Sequence, residues 1–123
     1  MKVKFDESVD KLTKEIDEGL TDVDKALEVH NYIASHAKYN TDAYNAATLT
    51  EIDHSAYGIL VDHTGVCDGY ALAYRYIMKG IYNIDTVVVT STQMSHAWNL
   101  IKIGDSYYHV DLTWDDGTMH ADS

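Results

Sequence analysis

Phe5, Val9, Leu12 and Ile16 recur at helical spacing among acids and lysines, and Gly19 behind them predicts where a first helix ends. A second stripe, Val23, Ala26, Leu27, His30, Ile33, Ala34 and Ala37, follows Thr21-Asp22-Val23-Asp24, which resembles a capping box, and reaches about residue 38. His30 falls on its apolar face, where a hydrogen-bonded core imidazole is the expected role and a catalytic one the alternative. Residues 39–54 are polar without a sustained period and read as a surface loop flanking a cleft, with a turn of helix at 43–47. Residues 55–61 are short and apolar and lead into an Asp62-His63-Thr64-Gly65 turn. Ala71, Tyr74, Ile77, Met78 and Ile81 then predict a helix from near residue 67 to about 79, stopped by Gly80.

Beyond Gly80 the pattern changes to β-branched runs and period two, at residues 86–90, 95–103 and 107–114. Helices first and strands afterwards predict an α+β domain, its antiparallel sheet packed on the helices. Gly104-Asp105 is a two-residue hairpin signal with glycine first. With Ile103 facing Ser106, Leu100 lies opposite His109 and Trp98 opposite Asp111. His96 then faces Thr113 and sits diagonal to Asp111 on the same sheet face, about 7–8 Å away and within side-chain reach. A register slip of one residue would separate the two.

Composition narrows the classes. The 123 residues read as a single domain, helical over about 1–80 and β over about 84–116, with 46% hydrophobic content, ten tyrosines and two tryptophans to build a core. Twenty acidic residues against nine basic ones give a net charge of -11, which repels nucleic acid and anionic membrane surfaces. No apolar run is long enough for membrane insertion and no signal peptide is present. One cysteine allows no internal disulfide and fits either redox compartment.

That cysteine carries the candidate chemistry. Cys67 lies between Gly65 and Gly69 in the first turn of the predicted helix, where unpaired amides and the positive dipole end favour a thiolate and can hold an oxyanion. The alternative is a small buried hydrophobe. The His96/Asp111 neighbourhood supplies a base and an orienting acid, or else a structural hydrogen bond on a sheet. Trp98 and Trp114 are large apolar groups for packing, and Trp98 is placed to shield the site from water. Asn99 either orients a neighbour or satisfies the sheet. Tyr57 and Ser55 are candidates for the second oxyanion donor because their segment leads into the Cys67 turn. His36, His54 and His63 have no shared metal spacing and read as solvated. A zinc site from Cys67, His96, His109 and Asp111 is a further alternative that lacks any short ligand pair.

Four blocks resemble the bacterial transglutaminase-like domain: Ser55-Ala56-Tyr57-Gly58, Gly65-Val66-Cys67-Asp68-Gly69-Tyr70-Ala71, Ser95-His96-Ala97-Trp98-Asn99, and Tyr107-Tyr108-His109-Val110-Asp111-Leu112-Thr113-Trp114-Asp115-Asp116. The resemblance runs from about residue 27 to 116 and implies a papain-like cysteine proteinase fold with a Cys67, His96, Asp111 triad. It implies acyl transfer from a carboxamide of a protein or peptide through a thioester, with no metal or organic cofactor, and slightly favours an extracellular or cell-surface setting. Hydrolysis of a peptide or isopeptide bond is the first expectation; protein-glutamine transamidation and a noncatalytic cell-surface binding module are the alternatives. Leu112 stands where many relatives carry proline. Relatives usually add strands beyond the Trp-Asp-Asp block, so a sheet trimmed at the C-terminus is expected.

Overall fold

The computed structural model describes residues 2–115, the side chains of Trp114 and Asp115 excepted. Asp116 and any role for the Trp114 ring lie outside the described residues. Helix α1 spans Lys2–Glu15 and buries Val9 and Leu12. Helix α2, Asp22–His36, starts with the Thr21 side chain accepting from the Asp24 amide at 3.2 Å. Its buried stripe is Ala26, Val29, His30, Ile33 and Ala34. The sequence pattern missed Val29 and included Val23 and Leu27, which are exposed; the apolar stripe is wider than the strip that a neighbour covers. His30 is buried in the core, with Nδ1 3.2 Å from Asn31 Oδ1.

Residues 39–54, expected to be a surface loop, and the apolar stretch and turn that follow to 65 are built of short elements. Strand β1 (Lys38–Tyr39) pairs in parallel with β2 (Thr64–Gly65), helix α3 spans Thr41–Ala46, a 3-10 turn spans Glu51–His54 and a π-helical turn spans Gly58–Asp62. Asp53 binds this region together. Its carboxylate accepts from Asn40 Nδ2 at 2.9 Å and from the Thr50 amide at 3.0 Å, and its carbonyl accepts from the Val66 amide at 2.9 Å. The Thr50 amide first and the Asn40 side chain second hold this buried carboxyl below the usual aspartate range. Backbone packs so closely here that a Cβ on Gly58 would stand 2.3 Å from the Ile52 carbonyl oxygen, and one on Gly69 would stand 2.8 Å from that of Asp53.

Helix α4 (Cys67–Arg75) buries Tyr70, Ala71, Ala73 and Tyr74 and continues as a π-helical stretch, Tyr76–Ile81. Gly80 lies inside that run and does not stop it. The chain leaves the helix through Asn83 in the left-handed region (φ 57°), and the Ile84 amide closes back on the Met78 carbonyl at 2.9 Å. Tyr74 is fully buried with its hydroxyl donating to the Ala26 carbonyl at 3.0 Å, and burial drives the phenol far above its ordinary value.

The sheet is antiparallel, ordered β3 (Thr86–Ser91), β4 (His96–Ile103), β5 (Ser106–Val110). Ile103 faces Ser106 and Leu100 faces His109, the register that the hairpin signal predicted, with Gly104 at φ 63°. Strand β5 stops at Val110 rather than running to 114: Leu112–Asp115 turn into a short helix, α5, and Leu112 is buried in the core. Along β4, Ala97, Asn99 and Ile101 point into the core against α4, while His96, Trp98 and Leu100 lie on the other face and are less completely buried. Leu12, Ile33, Ile59, Ile77 and Ile101 are fully buried, each contributing about 1.5–3 kcal/mol through loss of contact with water. No helix among the described residues is long and apolar enough to cross a membrane.

Asp53→Ala is expected to lower unfolding free energy by about 2–3 kcal/mol, since it orphans the Asn40 and Thr50 donors. Urea denaturation measures this, and a loss below about 0.5 kcal/mol would remove Asp53 from its place as the tie of this region. Because its carboxyl is depressed in the folded state, the advantage of wild type over Asp53→Asn should be present above about pH 4 and fade as pH falls through the lower, native value.

Candidate active site

Cys67 is the first residue of α4 and is partly exposed. The helix begins without a side-chain cap: Val66 occupies the N-cap position in extended conformation and offers no acceptor to the first-turn amides. The floor beneath is fixed by the Val66 amide on the Asp53 carbonyl and by Gly65 and Gly69 lying against the same residue. Above Cys67 opens a cleft of about 450 Å³. Tyr39, Tyr44 and Leu49 form an apolar wall, Thr90, Thr92 and Ser95 a hydroxyl-bearing one, and His96 shares the lining with Cys67.

The chain enters β4 through Ser95 in the left-handed region (φ 49°), a conformation that costs a non-glycine residue about 1 kcal/mol and starts the strand at His96. His96 Nε2 lies 2.6 Å from Asp111 Oδ2, and both side chains are only 10% exposed. The hairpin register brings Asp111 alongside, and Thr113 Oγ1 donates to its other carboxylate oxygen at 3.0 Å. With Asp111 ionised, Nε2 carries the proton and Nδ1 is the basic nitrogen.

Burial pushes the Cys67 thiol above its ordinary value. Hydrogen bonding from the Ala97 and Asp68 amides pulls it down, while the Asp68 and Asp111 carboxylates push it up. The thiolate expected from a helix start alone is therefore opposed by desolvation and by two acidic neighbours. Tyr39 is also raised, first by burial and next by Cys67, and its phenol oxygen takes a hydrogen bond from the Cys67 amide. It remains an O–H group at neutral pH.

The other candidates divide. Ser55 donates to the Ile52 carbonyl at 2.7 Å and accepts from the Gly58 amide at 3.1 Å, and Tyr57 stacks on Phe5 at 6.5 Å between centroids. Both are structural, and neither lines the cleft; the residue beside the Cys67 amide is Tyr39. Asn99 is fully buried and donates from Nδ2 to the Ala71 and Val87 carbonyls at 3.0 and 3.2 Å, tying α4 to the sheet. Trp98 stacks on His96 with centroids 5.7 Å apart and planes at 23°. Of the histidines expected to be solvated, His36 stacks on Tyr32 at 3.9 Å and lies 6.5 Å from His63, whereas His54 lies in the cleft with Nδ1 2.8 Å from Asp68 Oδ1. Tyr39 and His54 were hidden because they belong to an aperiodic stretch. The usable signal was composition: Tyr39, Tyr44 and Leu49 interrupt an otherwise polar run. Among the described residues no three His, Cys, Asp or Glu side chains are grouped to hold a metal ion, so the zinc alternative has no ligand set there.

No curated protein matches the chain in sequence. A TGase of known crystal structure shares its fold with a TM-score of 0.71 and 17% identity, aligned over 98% of this chain and 35% of its own. The chain thus spans about a third of that TGase's length. The profile of the transglutaminase-like superfamily matches residues 10–112, the span that holds every cleft residue named above. On that match, over most of its length, and on this fold, the chain belongs to the transglutaminase-like superfamily.

Proposed function

We propose that the protein catalyses cysteine-dependent acyl transfer on carboxamides of proteins or peptides, with hydrolysis as the main outcome. The observation that carries this reading is the 2.6 Å His96–Asp111 bond in a wall shared with Cys67. His96 Nδ1 takes the thiol proton as the sulfur attacks the amide carbon, and Asp111 stabilises the imidazolium that forms. The oxyanion is held at the Cys67 amide, with the Tyr39 hydroxyl as second donor once it turns from that amide to the substrate oxygen. The imidazolium protonates the leaving amine, a thioester remains on Cys67, and His96 then activates the incoming water. Two features support a neutral carboxamide as substrate. The lining carries one carboxylate, Asp68, two imidazoles and no lysine or arginine, and Tyr39, Tyr44 and Leu49 give the acyl chain an apolar wall. Thr90, Thr92 and Ser95 are exposed and leave the opposite side wet, which favours water as acceptor.

Asp111→Asn is expected to retain the fold by circular dichroism and to lower turnover by about 10⁴-fold, because the amide neither holds the tautomer nor stabilises the cation. An equally active Asn variant reduces Asp111 to a structural residue.

Because burial raises the thiol, alkylation of Cys67 by iodoacetamide is expected to rise with a midpoint above the ordinary thiol value of about 8.5. Rapid alkylation near pH 6 that His96→Ala abolishes would mean a resting thiolate–imidazolium pair instead.

Incubation with glutamine-containing and lysine-linked peptides, followed by mass spectrometry, should give hydrolysed peptide as main product and an acyl adduct on Cys67. Amine-adducted peptide as the dominant product in excess amine would replace hydrolysis by transamidation. The absence of any Cys67 adduct across a broad peptide library would favour a binding module.

A further inference from the structure

We propose that His109 is a positioning residue for His96, acting through the indole of Trp98. Trp98 Nε1 donates to His109 Nδ1 at 2.9 Å, and the same indole lies stacked on the His96 ring at 5.7 Å and 23°. The sheet makes this chain of contacts inevitable. His96 and Trp98 are two residues apart on β4 and share a face, while His109 faces Leu100 and so sits diagonal to Trp98, within reach of aromatic side chains.

Its chemistry has one allowed form. An indole nitrogen only donates, so His109 Nδ1 must present a lone pair, which requires neutral imidazole with its proton on Nε2. Protonation puts a second donor opposite the first and breaks the bond. Released from His109, Trp98 keeps only packing to hold it flat against His96. The indole face favours the imidazolium that forms when Cys67 loses its proton, so a loosened ring weakens His96 as base and admits water to the cleft wall. The ionisable groups on this sheet face among the described residues are otherwise engaged: Asp111 pairs with His96, Lys102 lies over the Tyr107 ring at 5.7 Å, and Asp85, opposite Lys102, pairs with Lys79 at 2.7 Å. His96 itself lies beyond the indole from His109.

The proposal rests on reading His96 as the base, and the test separates the two. In ¹⁵N-tryptophan-labelled protein the Trp98 indole resonance, identified through Trp98→Phe, is followed from about pH 8 to pH 5, the range in which histidine changes charge. In wild type it should move with acidification. His109→Asn, whose Oδ1 stands where Nδ1 stood and does not titrate, should keep the bonded shift at every pH. His109→Ala should show the unbonded shift throughout. The His96 ring-proton resonances, displaced by the stacked indole, should move toward the unstacked position in His109→Ala and not in His109→Asn. Turnover in His109→Ala should fall about tenfold in kcat with KM little changed, and return in His109→Asn with a shallower acid limb. Identical Trp98 and His96 resonances in wild type and His109→Ala overturn the proposal, as does an Asn variant that behaves like Ala. A wild-type protein with no turnover bears on the acyl-transfer reading alone, because the two resonances still decide the role of His109.

Discussion

Asp53 sets the geometry on which everything in the cleft depends. One buried carboxylate and its own carbonyl reach three separate pieces of chain: Asn40 next to Tyr39, Thr50 at the base of the 3-10 turn, and Val66 next to Cys67. Cys67 and the phenol that covers its amide are thus referred to a single residue. The glycines follow from the same constraint, since Gly58, Gly65 and Gly69 all lie against residues 52–53 where a methyl group has no room. What reads in sequence as a glycine-flanked cysteine is, physically, a helix start pressed onto a turn.

The second tie is between the helix and the sheet. Asn99 bridges the Ala71 and Val87 carbonyls from within β4, three residues along from His96. Cys67 and His96 therefore sit on elements joined by a buried side chain rather than by loops, and a site of this kind holds its geometry better than one carried on mobile segments. The same closeness has an electrostatic cost. The sulfur is desolvated and lies near the Asp68 and Asp111 carboxylates, all of which disfavour its thiolate.

Much of this was legible in sequence where periodicity or turn chemistry is strong. The α1 and α2 stripes, the helix behind Cys67, the hairpin and the His96–Asp111 neighbourhood all follow from local patterns, and the Gly104-Asp105 turn fixed a register in which one residue of error would have separated His96 from Asp111. The legible part ends where tertiary contact decides. Asp53 looks like one acid among twenty, and its burial depends on Asn40 thirteen positions away. Tyr39 and His54 become cleft residues only once β1 pairs with β2 and the 3-10 turn swings His54 to Asp68. Strand β5 was overextended because β-branched composition carries no mark of the turn into α5, and Leu112 leaves the sheet to fill the core. Gly80 was taken for a stop because glycine usually ends helices, whereas the wider π-helical turn carries the chain through it to Asn83.

Val66 at the start of α4 leaves a mark on how such a chain can change. Serine or aspartate there could bond the Asp68 or Gly69 amide, a gain of about 1 kcal/mol, but would forfeit the burial of a valine that is only 3% exposed, a loss of about 1.5–3 kcal/mol. The Asp68 amide, moreover, already bonds the Cys67 sulfur and would have to be shared with the new cap. Stability and an uncapped helix start are thus served by the same aliphatic side chain at 66. The two demands do not compete at this position, and the exchanges open to it are between aliphatic groups of similar volume.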